Sequence, residues 1–139
     1  MGAIIQERDY RPENQAGMLK PIIYCVTSKE MADAVSINKM LAEELIKVRK
    51  NRRTMQLERC LSQVISKLPD GAVIKDLDVL FNPEYQVDVL KMLVTVCKQK
   101  TFSVIWPGRM DGEKLFYAEE GFPDYKSYKI SDYDITCIV

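Results

Sequence analysis

Leu57 to Phe81 reads LERCLSQVISKLPDGAVIKDLDVLF, and this stretch decides the fold class. Leu57, Leu61, Val64, Ile65 and Leu68 recur at the spacing of one helical face. Pro69-Asp70-Gly71 stops that helix in a turn, and Ala72 to Phe81 is apolar and short enough for a buried strand. A helix that hands over to a strand in this way is the building unit of a parallel sheet.

Upstream, Leu41, Leu45 and Val48 form another helical stripe, with Glu43, Glu44, Lys47 and Lys50 on the opposite side. The two stripes predict either one long helix or a pair broken near Asn51 to Thr54. Pro21 opens Ile22 to Thr27, a run of β-branched and aromatic residues where the core begins. Ser28 can cap a short helical segment through Met31 and Ala34, and Val35 to Ile37 reads as a second short strand. Downstream, Asn82-Pro83 starts a helix with Val87, Leu90, Leu93, Val94 and Cys97 on its apolar face, and Phe102 to Trp106 follows as a strand. Turns at Pro107-Gly108 and Asp111-Gly112 precede short strands at Leu115 to Ala118, Tyr125 to Ile130 and Ile135 to Val139. The expected architecture is α/β: a three-layer, mostly parallel sheet with a β-rich C-terminal end. Residues 20–139 form the single domain, and residues 1–19, which show no period, read as a flexible N-terminal arm.

Composition narrows the chemistry. A chain of 139 residues that is 47% hydrophobic suits one buried core. Lys and Arg total 20 and are balanced by 20 Asp and Glu, so no global charge draws the chain to nucleic acid or to an anionic membrane. No apolar run approaches the ~18 residues that would span a bilayer, and the expected location is cytoplasmic. The sequence contains no histidine. Serine triads, cysteine-histidine dyads and most zinc sites depend on imidazole, so no catalytic or metal-ligating set is assigned. Cys25, Cys60, Cys97 and Cys137 are far apart and lie in apolar runs, as small buried hydrophobes do.

Two constellations carry binding chemistry. Asp76 and Asp78 close the strand that begins at Ala72, the pattern by which nucleotide hydrolases hold Mg²⁺ at a sheet edge; a solvated edge or a helix cap is the plainer reading. ATP binding would also need a phosphate-cradling loop, and Thr27 to Val35 stands where that loop belongs. Ser28 and Lys29 have the right chemistry for phosphate, yet the segment holds no glycine to let the backbone wrap an anion. The second constellation is Lys47, Arg49, Lys50, Arg52, Arg53 and Arg59, a basic patch where the two stripes meet. It reads either as a solvated face favoured by the dipole at a helix C-terminus or as a contact for phosphate backbone or an acidic partner. The tyrosines Tyr117, Tyr125, Tyr128 and Tyr133, with Phe122, read either as an interface or as packing for the C-terminal strands.

From Ser36 to the C-terminus the chain resembles the BrxF family, the small P-loop-containing component of type 3 BREX anti-phage systems. The resemblance rests on Leu77-Asp-Val-Leu-Phe81, Trp106-Pro-Gly108, Gly112-Glu-Lys-Leu-Phe-Tyr-Ala-Glu119 and Gly121-Phe-Pro-Asp-Tyr125, with Leu45 to Leu61 as a looser match. It implies a P-loop-NTPase-like fold and a role in antiviral defence beside larger defence-system proteins. The departures concern the nucleotide site. The family's glycine-rich loop with Lys and Thr is reduced here to Ser28 to Val35, Lys75 stands where the Mg²⁺-binding aspartate is expected, and Asp78 matches the second acid. The reading is therefore a degenerate, cofactor-free NTPase-like accessory subunit that contacts partner proteins or DNA, with homo-oligomers allowed and ATP hydrolysis not transferred. Two alternatives stand beside it: a weak ATPase using Ser28, Lys29, Asp76 and Asp78 with Mg²⁺, and a small DNA-binding regulator using Lys47 to Arg59.

Overall fold

A computed structural model describes residues 2–11, 19–26 and 33–139. The strands are β1 (Ala3–Ile5), β2 (Ile22–Tyr24), β3 (Val35–Ser36), β4 (Ala72–Lys75), β5 (Phe102–Ile105), β6 (Arg109–Asp111), β7 (Lys114–Tyr117), β8 (Lys126–Lys129) and β9 (Thr136–Ile138). The helices are α1 (Asn38–Ile46), α2 (Arg53–Ser66) and α3 (Val89–Cys97). Six strands form one sheet in the order β1-β9-β2-β5-β4-β3, and every neighbouring pair is parallel. β6, β7 and β8 form a separate antiparallel sheet.

The chain goes from β2 to the edge strand β3 and works back through β4 to β5, stepping in one direction through helical connections. Crossovers of one hand and one direction place their helices on the same face, and α2 packs against both α1 and α3. Ile74, Val104, Ile23 and Cys137 stand in register across β4, β5, β2 and β9 with no exposed surface, and they form the floor of the core. On the other face Ile22, Val73 and Ser103 are half-buried.

The antiparallel sheet caps the carboxyl ends of β4 and β5. Phe81, just past β4, stacks on Tyr117 with centroids 3.8 Å apart and planes 6° from parallel. Trp106, just past β5, meets Phe81 edge-on at 5.7 Å and Tyr128 at 5.9 Å, and its indole N–H donates to the Phe116 carbonyl at 2.9 Å. Tyr117 and Tyr128 are therefore core residues, whereas Phe122 remains 62% exposed. Most of the tyrosine cluster packs the C-terminal strands.

Several elements differ from the sequence reading. Residues 3–5, read as part of an arm, pair with β9 as an edge strand. Three residues cannot display a period, and the partner lies at the far end of the chain. The strand expected to run from Ala72 to Phe81 ends at Lys75, because Asp76 takes a left-handed φ of 57° and Asp78–Phe81 form a 3-10 turn. Leu77, Leu80 and Phe81 then enter the core at helical, not alternating, spacing. The helix expected from Asn82 begins at Val89, where the Asp88 carboxylate accepts the Lys91 N–H at 3.1 Å and caps it; Val87 precedes the helix. The two upstream stripes are separate helices, joined by residues 47–52.

Candidate functional site

β2 is the pivot of the sheet. β5 lies on one side of it and β9 on the other; the chain leaves β2 toward β3 and leaves β5 toward β9, in opposite senses along the sheet. In open α/β sheets the crevice outside the carboxyl ends at such a switch point is where ligands bind. A cleft of about 580 Å³ opens there, walled by Glu7, Tyr24, Cys25, Ile105, Trp106 and Gly108. Its floor is ordered by the Trp106 N–H, which donates to the Tyr24 carbonyl at 2.9 Å and extends the β2–β5 ladder past β5. Glu7 reaches the cleft because its backbone N–H donates to the Val139 carbonyl at 2.7 Å, prolonging the β1–β9 edge.

Ser28 and Lys29 lie outside the described residues. Asp76 is exposed at the end of β4. Asp78 is exposed, but each of its carboxylate oxygens accepts a hydrogen bond: the Tyr117 hydroxyl donates to one at 2.6 Å, and the Asn38 amide donates to the other at 3.3 Å. Asn38 in turn accepts the Val79 N–H at 3.0 Å, so this carboxylate ties the start of α1 to β7. Burial, reinforced by the hydrogen bond to Asp78, pushes the Tyr117 hydroxyl above the usual tyrosine range and keeps it a donor. Among the described residues no group of three His, Cys, Asp or Glu side chains could hold a metal ion, and no helix is long and apolar enough to cross a membrane.

The basic patch separates into two sets. Arg53 donates from Nε to the Leu45 and Val48 carbonyls at 3.1 and 3.2 Å and caps the C-terminus of α1, as the plainer reading of the patch expects. Lys47 pairs with Glu44 at 3.4 Å, and Arg59 donates to Gln56 at 2.6 Å. Arg49, Lys50 and Arg52 are different. They are exposed on the turn between the helices and pair with no other described side chain. They stand at the amino end of α2, whose first turn has no acidic residue and whose N-cap, Arg52, makes no side-chain cap. Cations there oppose the helix dipole, and a helix optimised for stability alone would carry the reverse charges.

Known protein families, curated proteins and solved structures give no match to the chain. The cleft at β2 and β5 is the feature that sequence reading missed. Trp106-Pro-Gly108 at a strand end was its one local signal, whereas Glu7 enters the cleft only through a strand that local pattern does not reveal.

Proposed function

We propose that the chain is a degenerate P-loop-NTPase-like accessory subunit of an anti-phage defence system, working through contacts with larger partner proteins or DNA. The observation that carries this reading is the use made of Asp78. The acid that the resemblance aligns with the nucleotide site has both carboxylate oxygens bound by Tyr117 and Asn38, and serves to hold the antiparallel sheet on the edge where a nucleotide would lie. The strand order supports an NTPase-like scaffold, since β2, the strand that precedes the segment aligned with the family's phosphate loop, lies at the switch point of a parallel sheet. The segments that carry the resemblance also converge in space, with Phe81, Trp106 and Tyr117 packed ring against ring.

The test is a thermal-shift titration with ATP, GTP and ADP, each with Mg²⁺. The expected result is an unchanged melting temperature at millimolar nucleotide. A ligand that binds only the folded state adds about 2.7 kcal/mol at a hundredfold excess over its Kd, a shift of several degrees. Such a shift, abolished by Lys29→Ala, would replace this reading with the weak ATPase.

The cations Arg49, Lys50 and Arg52, which pair with no other described side chain, favour duplex DNA as one contact. Phosphate contacts by three cations predict that log K falls with log salt at a slope of about −3. Charge reversal at Arg49, Lys50 and Arg52 together is expected to abolish DNA retention in a fluorescence-anisotropy titration while leaving the melting temperature within a few degrees. Unchanged affinity in that variant removes DNA as the partner of this turn.

A further inference from the structure

Ile46, Met55 and Phe122 are the most exposed large apolar side chains among the described residues, at 72%, 82% and 62%. Isolated apolar side chains on a surface are ordinary. These stand out by the charge around them. From Ile46 to Met55 the chain carries Lys47, Arg49, Lys50, Arg52 and Arg53 and no acid. From Ala118 to Tyr125 it carries Glu119, Glu120 and Asp124 about Phe122 and no cation. One surface is apolar and basic and the other apolar and acidic, on a chain of zero net charge.

Both surfaces are held in shape by the fold. Ile46 ends α1 and Met55 lies in the first turn of α2, on either side of the turn that Arg53 fixes by donating to the Leu45 and Val48 carbonyls. The acidic surface is the loop from β7 to β8. There the Phe122 N–H donates to the Glu119 carbonyl and the Tyr125 N–H to the Phe122 carbonyl, both at 3.1 Å, and Gly121 bends the chain with a φ of 96°. At the base of the loop the Arg109 guanidinium lies 4.7 Å over the Phe116 ring and donates to the Ala118 carbonyl at 3.2 Å. Its 3.9 Å approach to Glu119 is an exposed pair worth little. A segment already fixed by its own hydrogen bonds loses little conformational freedom when it docks. Neither surface covers the other within one chain, since Ile46, Met55 and Phe122 all remain exposed.

We propose that the Phe122 loop of one copy docks on the α1–α2 turn of a second copy of this chain. Phe122 is the anchor and packs on Ile46 and Met55 of the other copy, while Glu119 and Glu120 face Arg49, Lys50 and Arg52. An aromatic anchor with a charged rim is the usual anatomy of a specific protein interface, and opposite charges fix its orientation and speed encounter. Duplex phosphates need only the cations of the turn and leave Ile46 and Met55 in water. A second copy covers both side chains and presents its acids at the same time. Because the contact joins two different surfaces, each copy keeps a free loop and a free turn unless the assembly closes on itself. Assembly and DNA then compete for the same three cations.

The test is the mass of the full chain by light scattering over a concentration series up to about 1 mM, at low and at high salt. The wild type is expected to pass from one chain to two or more as concentration rises, with high salt weakening the association. Phe122→Ala is expected to weaken it about tenfold. Two charge-reversed variants, one with Arg49→Glu, Lys50→Glu and Arg52→Glu and the other with Glu119→Lys and Glu120→Lys, are each expected to stay monomeric, because loop and turn then carry the same sign. Mixed in equal amounts they are expected to associate, since the acidic loop of the first meets the basic turn of the second, and the basic loop of the second meets the acidic turn of the first. All these positions are exposed, and the Phe122→Ala and salt results stand alone should a reversal fail to fold. A wild type that is monomeric at every concentration overturns the proposal, as does a mixture of folded variants that stays monomeric. An assembly that survives Phe122→Ala and both reversals forms through another face and overturns it too. None of these results touches DNA retention by the turn, so the two readings fail separately.

Discussion

Phe81→Ala is expected to lower the unfolding free energy by about 3 to 5 kcal/mol, read from the urea midpoint. Phe81 is 2% exposed and fills the junction between the end of β4 and the antiparallel sheet. Its ring stacks on Tyr117 at 3.8 Å and takes the edge of Trp106 at 5.7 Å, so truncation leaves two aromatic faces against a void. Aromatic pairs add about 0.5 to 1.5 kcal/mol beyond the area they bury, which places this residue toward the upper part of the range. The loss should be local as well as global. Amides of β7 and β8 are expected to exchange with solvent faster than those of β4 and β5, because the ring holds the first pair onto the second. A midpoint within experimental error of wild type would show that the antiparallel sheet is held by other contacts.

Gly108→Ala is expected to cost about 3 kcal/mol and to release the β6–β7 hairpin from the edge it caps. A Cβ at Gly108 would stand 1.9 Å from the Phe116 carbonyl oxygen and 3.1 Å from the Trp106 indole nitrogen. The Phe116 oxygen is backbone and cannot swing aside. It also accepts the indole N–H at 2.9 Å, so relief of the clash breaks that hydrogen bond and leaves a mostly buried donor without its acceptor. The check is thermal unfolding together with tryptophan fluorescence, since Trp106 is the only tryptophan. A red-shifted emission in the folded variant is expected as the indole becomes hydrated. Unaltered emission and stability would mean that the turn can absorb the methyl group by moving away from β7.

Both substitutions fall in segments that carry the resemblance to BrxF, and their large expected effects follow from one arrangement. The ends of β4 and β5 meet a layer of aromatic side chains from β7 and β8. Asp78, the acid that the resemblance would assign to nucleotide chemistry, is hydrogen-bonded to Tyr117 and Asn38 beside that layer, and the cleft lies between β2 and β5.

The sequence by itself determined the α/β class, the helix stripes of Leu41, Leu45 and Leu57 to Leu68, the strands at Ile22 and Phe102, and the exclusion of imidazole chemistry. Periods of 3.6 and 2 are local properties, and composition needs no fold at all. Only the tertiary structure decided the strand order and the addition of Ala3–Ile5 beside β9. It alone joined Tyr117 to Asp78, and it alone divided the basic patch into Arg53, which caps α1, and Arg49, Lys50 and Arg52, which point to solvent. Each of these unites residues that are distant along the chain or depends on which end of a helix faces a neighbour. Parallel pairing leaves no local mark of its partner, and a short-range pattern cannot show which cation finds a carbonyl and which is left free.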